Sequence, residues 1–276
     1  MIQQANVNIV VLAAGGSRRM GEQKLLKKLG GKSLVRRAAE TALQSRASRV
    51  VVVLGSDESR IRSELTNLPL DFVVNENWQM GQGTSVARGV SALSACDAAI
   101  LMASDQPFVS SEHLNRLIDA WESDQATHRD ATAKPSIGIY VSSANKVQGI
   151  PALFSAAMLP ELQQLTGVKG ARQLFHRFGV HPVDQSDDML FWDTDTAEAF
   201  HRAEEEWLLR HSVKAHGSLP TEPSITYPDS PALPQQASHT AAQRDEAAPA
   251  FPQPPTLAPE SPLSLQNQRP TQKNED

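Results

Sequence analysis

The sequence predicts an α/β fold: a three-layer, Rossmann-like, mainly parallel sheet with helices on both faces. Three observations predict it. Asn8-Ile-Val-Val-Leu12, Arg49-Val-Val-Val-Val-Leu54 and Ala98-Ala-Ile-Leu-Met-Ala103 are short apolar runs without alternation, the pattern of strands covered on both faces. Segments of helical periodicity separate these runs. Each run stops at turn residues, Gly15-Gly16, Gly55 and Ser104-Asp105, and folds of this class hold ligands at strand C-terminal ends.

The elements follow in order. Asn8–Leu12 is the first strand. Ser33 caps a helix to about Gln44, because Leu34, Val35, Ala38, Ala42 and Leu43 recur at helical spacing. Arg49–Leu54 is the second strand, followed by a helix over Glu58–Leu65 and a strand over Asp71–Val74. Thr84–Ser94 reads as a helix with Thr84 at its cap. Ala98–Ala103 is the next core strand and Ser111–Glu122 a capped helix; the polar stretch Ser123–Lys134 reads as a loop. Beyond Pro135 the alternation loses its regularity. A strand near Ile137–Val141, an apolar run Ile150–Phe154 and a helix near Ala171–Phe178 precede a closing helix, Thr196 to Leu209. In that helix Phe200, Ala203, Trp207 and Leu208 form an apolar stripe.

Composition divides the 276 residues. Twelve of the 18 prolines fall between Pro220 and Pro270, in a stretch poor in large apolar residues, so 212–276 is expected to be a disordered tail. Residues 1–211 are long enough for one sizeable core and are expected to form a single domain. The net charge of −5 offers no basic face, which argues against nucleic acid as a partner. A single cysteine, Cys96, excludes an intrachain disulfide and any cysteine-built metal cage. The longest early apolar run, Ile9–Ala14, is far short of a membrane span, and no basic leader precedes it, so a soluble, cytoplasmic protein with no membrane partner is expected.

The loop after the first strand reads Leu12-Ala-Ala-Gly-Gly-Ser-Arg-Arg-Met-Gly-Glu-Gln-Lys24. Small residues let a ligand approach the backbone, exposed amides bind anions, and Arg18, Arg19 and Lys24 add cations, a combination suited to a triphosphate. It is no Walker A loop, since Glu22 stands where Gly16 and Gly21 would require lysine, and Leu26 stands where Gly31-Lys32-Ser33 would require the first glycine. Nor does Gly81-x-Gly83 complete a dinucleotide fingerprint, because Val86 takes the last glycine position.

Six segments in order resemble the molybdenum cofactor nucleotidyltransferase family, MobA-like NTP transferases, over about residues 8–205. Leu12-Ala-Ala-Gly with Ser17-Arg-Arg-Met-Gly21 and Lys24 is similar to its signature loop. Gly81-Gln-Gly83-Thr-Ser85-x3-Gly89 resembles its second nucleotide loop, and Ala103-Ser-Asp105-Gln-Pro107 its metal-binding turn. Gly149-Ile-Pro151-Ala-Leu-Phe154 and Gly167-x-x-Gly170-Ala-Arg172 resemble its acceptor-side segments, and Asp193-Thr-Asp195-Thr-x-Glu198 its closing motif. Val168 and Ile150, in the acceptor-side segments, and Ala197 and Ala199, in the closing motif, depart from residues common in the family.

The resemblance implies a nucleotide-diphospho-sugar-transferase-like fold and transfer of CMP from CTP to a molybdopterin-type acceptor with loss of pyrophosphate. It implies a nucleotide site from Leu12, Ala13, Ala14, Gly15, Gly16, Lys24, Gly83, Thr84 and Ser85. Arg19 and Lys24 would act on phosphates, with Arg18 a solvated neighbour. Asp105 would be catalytic and would share a Mg²⁺ with Asp195; Asp193 is the alternative to Asp195, and either Asp195 or Thr196 could cap the closing helix. Ala14 in place of glycine is similar to the cytidylyl branch. GTP, another phosphorylated acceptor, or a non-catalytic carrier serving a molybdoenzyme recipient remain alternatives. The eight histidines show no metal-ligand spacing.

Overall fold

In the computed structural model, residues 5–16, 23–127, 138–185, 188–192 and 194–215 are described, all within one compact unit, Met1–Pro220. Residues 212–215 continue the closing helix; the rest of the Pro-rich segment lies outside the described residues.

The core is a seven-stranded sheet of order β5-β4-β1-β6-β8-β7-β9. Its strands are β1 (Val7–Ala13), β4 (Arg49–Leu54), β5 (Asp71–Val74), β6 (Ala98–Ala103), β7 (Ile139–Ala144), β8 (Val147–Ser155) and β9 (His181–Asp184). A small antiparallel pair, β2 (Lys28–Leu29) and β3 (Lys32–Ser33), lies outside it. Pairings β1–β4, β1–β6, β4–β5 and β7–β9 are parallel, whereas β8 runs antiparallel to both β6 and β7.

Side-chain alternation along β1 builds three layers. Val7, Ile9, Val11 and Ala13 face one side with α1 (Leu34–Leu43), α2 (Glu58–Glu64) and α4 (Ser111–Thr127). Val10, Leu12 and Ala14 face the other with α3 (Gln82–Ser91), α5 (Leu159–Gln163) and α6 (Arg172–Phe178). The closing helix, α7 (Ala197–Ala215), packs Phe200 with Leu29 and Leu34, and Trp207 rests against that cluster.

Ser33 caps α1 as expected, its Oγ accepting from Arg36 N at 3.2 Å. Several boundaries differ from the sequence reading. Helix α3 starts at Gln82 and stops at Ser91, so Thr84 lies inside its first turn and is not its cap. Helix α4 runs on through Thr127, where a loop was expected, because Ser123 and its neighbours are good enough helix formers once Trp121 is anchored in the core. Helix α5 and strand β9 had no sequence signal; β9 is short and mostly exposed, formed by pairing with β7 rather than by burial.

The chain leaves β1 for β4 on one side and returns to β6 on the other. The C-terminal ends of β1 and β6 therefore flank a topological switch point, where this fold class opens a crevice.

Candidate active site

The register pairs Leu12 with Ala103, so the loops after β1 and β6 start side by side. Ser104 locks them: its Oγ donates to Leu12 O at 2.7 Å and its N–H to the same oxygen at 3.3 Å. Asp105 follows at the mouth of the crevice. It is joined from above by Thr194, fully buried, whose Oγ1 donates to Asp105 O at 3.4 Å. That contact brings Asp195 to Asp105 from 90 residues away in the chain.

Lys24 lies between the two. It sits in a short 3-10 turn, Lys24–Leu26, that buries Lys24 and Leu25. Its Nζ donates to Asp105 Oδ2 at 2.7 Å and to Asp195 Oδ1. Burial alone would pull its pKa down, but the adjoining Asp105 and Asp195 carboxylates outweigh burial and hold the ammonium above its ordinary range. The sequence nominated Lys24 as a phosphate-binding cation; the structure makes it the buried centre of a carboxylate–ammonium–carboxylate triad. Thr196 caps α7 by accepting from Ala199 N at 3.1 Å, which leaves Asp195 to the triad. Asp193, Arg18 and Arg19 lie outside the described residues.

The glycine loops are packed for close approach. Gly15 is exposed with open space above it, whereas a Cβ on Gly16 would meet the Trp78 ring at 2.8 Å. Ala13 and Ala14 are buried in opposite layers, so only their backbone is available to a ligand. Gly83 donates to Gly167 O at 2.8 Å, and a Cβ there would lie 2.6 Å from Thr166 O. Thr84 and Ser85 are committed within this loop. The buried Asn75 amide donates to both hydroxyls at 2.9 Å, and Thr84 Oγ1 donates to Gly81 O at 2.9 Å. Sequence reading missed Asn75, whose only signal is an amide directly after a strand.

A cavity of about 680 Å³ opens beside Asp105. Leu12, Val86, Leu101, Ile150 and Phe191 give it apolar walls, Gln82, Gln106 and Gln173 polar ones, and Lys169 and Arg172 a cationic rim beside His176. Gln106 Nε2 donates to Ile150 O at 3.1 Å. The next residue, Pro151, is held from behind: Ser142 Oγ donates to Pro151 O, and the buried His113 Nε2 lies 2.6 Å from Ser142 Oγ. Since the hydroxyl hydrogen is already given to Pro151, His113 Nε2 is the donor there and Nδ1 accepts from Arg116 Nη2 at 3.3 Å. Burial, then the Arg116 charge, pushes the His113 pKa down to about 4. Among the described residues no group of three or more His, Cys, Asp or Glu is arranged to hold a metal ion. No helix among them is long and apolar enough to cross a membrane.

A glycine loop, a buried ammonium and paired carboxylates at the switch point of a mainly parallel sheet define a nucleotide-handling α/β domain. Residues 9–184 match the MobA-like NTP transferase domain, and the chain belongs to that family of nucleotidyltransferases. It is 31% identical over 205 residues to the purine catabolism protein PucB of Bacillus subtilis, covering 69% of this chain and 92% of that protein. It is 29% identical over 198 residues to the nicotine blue oxidoreductase of Paenarthrobacter nicotinovorans, covering 70% and 94%. Among solved structures, Rv0371c of Mycobacterium tuberculosis in complex with manganese superposes with a TM-score of 0.60 at 26% identity, covering 72% of this chain and 98% of that one. The fold is nucleotide-diphospho-sugar-transferase-like, as the sequence predicted.

Proposed function

We propose that the protein transfers CMP from CTP to a molybdopterin-type acceptor and releases pyrophosphate. The observation that carries this is the Lys24 triad beside a glycine loop at the switch point. In the reaction an acceptor phosphate oxygen attacks the α-phosphorus, the bond from that phosphorus to the β-phosphate bridging oxygen breaks, and pyrophosphate leaves with the electron pair.

The residues divide the work. The backbone of Leu12, Ala13, Ala14, Gly15 and Gly16 approaches the triphosphate, and Gly83 lets the second loop close against the nucleoside, with Thr84 and Ser85 shaping that loop through Asn75. Lys24 neutralises the carboxylates before nucleotide binds and offers its ammonium to phosphate oxygens afterwards; Arg19 is the second cation. Asp105 and Asp195 would hold a Mg²⁺. Two carboxylates converging on one cationic nitrogen fit a divalent ion, which prefers one or two carboxylates plus phosphate oxygens. Such an ion supplies positive charge to the phosphate oxygens of the transfer. Manganese in the related Rv0371c structure supports a divalent ion, and Ala14 supports CTP over GTP. The cavity with Lys169 and Arg172 on its rim is the acceptor side. Residues 1–211 carry the chemistry, with the segment after them outside it.

Pyrophosphate release is the test. The purified chain is given Mg²⁺ and each NTP in turn, with and without molybdopterin. Release with CTP and molybdopterin is expected. Release with GTP only, or only with another phosphorylated acceptor, would replace the substrate; binding of finished cofactor without release would make the protein a carrier for a molybdoenzyme. Oxidation or reduction of nicotine blue without pyrophosphate release would align it with the oxidoreductase relative.

A further inference from the structure

One short segment touches both glycine loops. Asn75 begins it, and its N–H donates to Leu54 O at 2.8 Å, which ties the segment to the end of β4. Its buried amide holds Thr84 and Ser85 of the second loop, and its Oδ1 accepts from Asn77 N at 3.0 Å. Trp78 comes next, at the head of a 3-10 turn, Trp78–Met80. Its half-buried ring packs against the layer that contains Leu12 and Ala14. The far edge of the ring, Cη2 and Cζ3, lies where a Gly16 methyl would be, at 2.8 Å. The ring cannot retreat easily at its root, because Trp78 Cβ lies 2.9 Å from where a Gly55 Cβ would stand. Ser56 N donates to Ala14 O at 3.1 Å and fixes the other side of the same corner.

A glycine loop has many backbone conformations to lose, so a loop that binds by its backbone needs an external support. The indole edge supplies one to Gly16, while Gly15 beside it faces open space. We infer that Trp78 is a positioning residue: its ring backs Gly16 and keeps the first glycine loop in register with the second, which Asn75 holds from the same segment. The ring acts through the loop and does not itself touch nucleotide. This rests on the transferase reading above, in which the first loop takes the triphosphate and the second the nucleoside.

The test uses the full chain and two probes, inorganic tripolyphosphate and CTP, each with Mg²⁺. Binding is followed by calorimetry and folding by thermal melting. Gly16→Ala drives a methyl into the ring edge and is expected to weaken both probes by about tenfold or more, since small displacements of positioning groups are costly. Trp78→Phe removes the edge that the methyl strikes. The double variant, Gly16→Ala with Trp78→Phe, is expected to bind both probes within about threefold of wild type, because contacting residues are not additive. Trp78→Ala should weaken both probes by the same factor. Undiminished binding by Gly16→Ala overturns the inference, and so does a double variant no better than Gly16→Ala alone; both results stand even if Trp78→Ala fails to fold. A Trp78→Ala loss confined to CTP also overturns it, by placing the ring on the nucleoside. So does a folded Trp78→Ala protein with a lower melting temperature and undiminished binding, which would make the ring mere packing. Failure to release pyrophosphate from any NTP, with the binding pattern intact, would sink the transferase reading alone, because binding is measured without turnover.

Discussion

The Lys24 ammonium lies 2.7 Å from the Asp105 carboxylate and donates as well to Asp195, so one cation joins the ends of three separate chain segments. Its side chain is 11% exposed, against 26% and 27% for the two carboxylates. Substitution of any one member disturbs the other two. Lys24→Met leaves two carboxylates facing each other. The metal-free variant is expected to lose roughly 2 kcal/mol, less than a fully buried pair because both carboxylates reach solvent. Added Mg²⁺ or Mn²⁺ should raise its melting temperature more than that of the wild type. Equal metal shifts in the two proteins would show that the cation and the ammonium do not compete for the site.

Asp105→Asn and Asp195→Asn are expected to fold and to lower pyrophosphate release by about 10²-fold or more, on the order of 3 kcal/mol of transition-state stabilisation each. Asp193→Asn is the control. If it is the most damaging of the three, the second carboxylate of the site has been misassigned.

Gly83→Ala forces a methyl to within 2.6 Å of Thr166 O, a backbone atom that cannot swing away. The expected cost is about 1–3 kcal/mol of overpacking, with displacement of the Gly83–Gly167 hydrogen bond. Nucleotide KM should rise more than kcat falls. An unchanged KM would mean the second loop does not contact nucleotide.

His113 links stability to pH. Its folded pKa of about 4 lies below its ordinary 6.5, so the unfolded chain binds the extra proton between these values. Its contribution is fully present above pH 6.5 and is lost as pH falls toward 4, amounting to roughly 3 kcal/mol at most. Arg116 faces it with a positive charge and Gln185 with an amide. Urea midpoints for wild type and His113→Gln should converge as pH drops through that window. Parallel curves would show that His113 does not carry the dependence.

The closing helix ties the triad to the body of the protein. Trp207 packs beside Leu29, Leu34 and Phe200, with Arg37 3.7 Å from its ring centre and His211 stacked at 3.8 Å. A chain ending at Ala215 is expected to keep its melting temperature and transfer rate. Trp207→Ala should cost about 2–3 kcal/mol and reduce turnover by loosening Asp195. Loss of activity on removing residues 216–276 alone would place chemistry in the Pro-rich segment.

Strands β1, β4 and β6 were legible in the sequence because a strand covered on both faces must be apolar along its whole length, a local property. The Ser33 cap and the glycine loops were legible for the same kind of reason, since capping and close backbone approach each demand particular residue types. What the sequence could not disclose depends on contacts between distant segments. Strand β9 exists because β7 offers it an edge, and the antiparallel course of β8 follows from which neighbours it meets. The motifs nominated Lys24, Asp105 and Asp195 separately, as a phosphate cation and two metal ligands. Only the folded chain made them one triad, through Thr194 resting on Asp105 and a 3-10 turn that buries a lysine. Local physical chemistry wrote the layers and the loops into the sequence; long-range hydrogen bonding and burial decided which of their residues share a site.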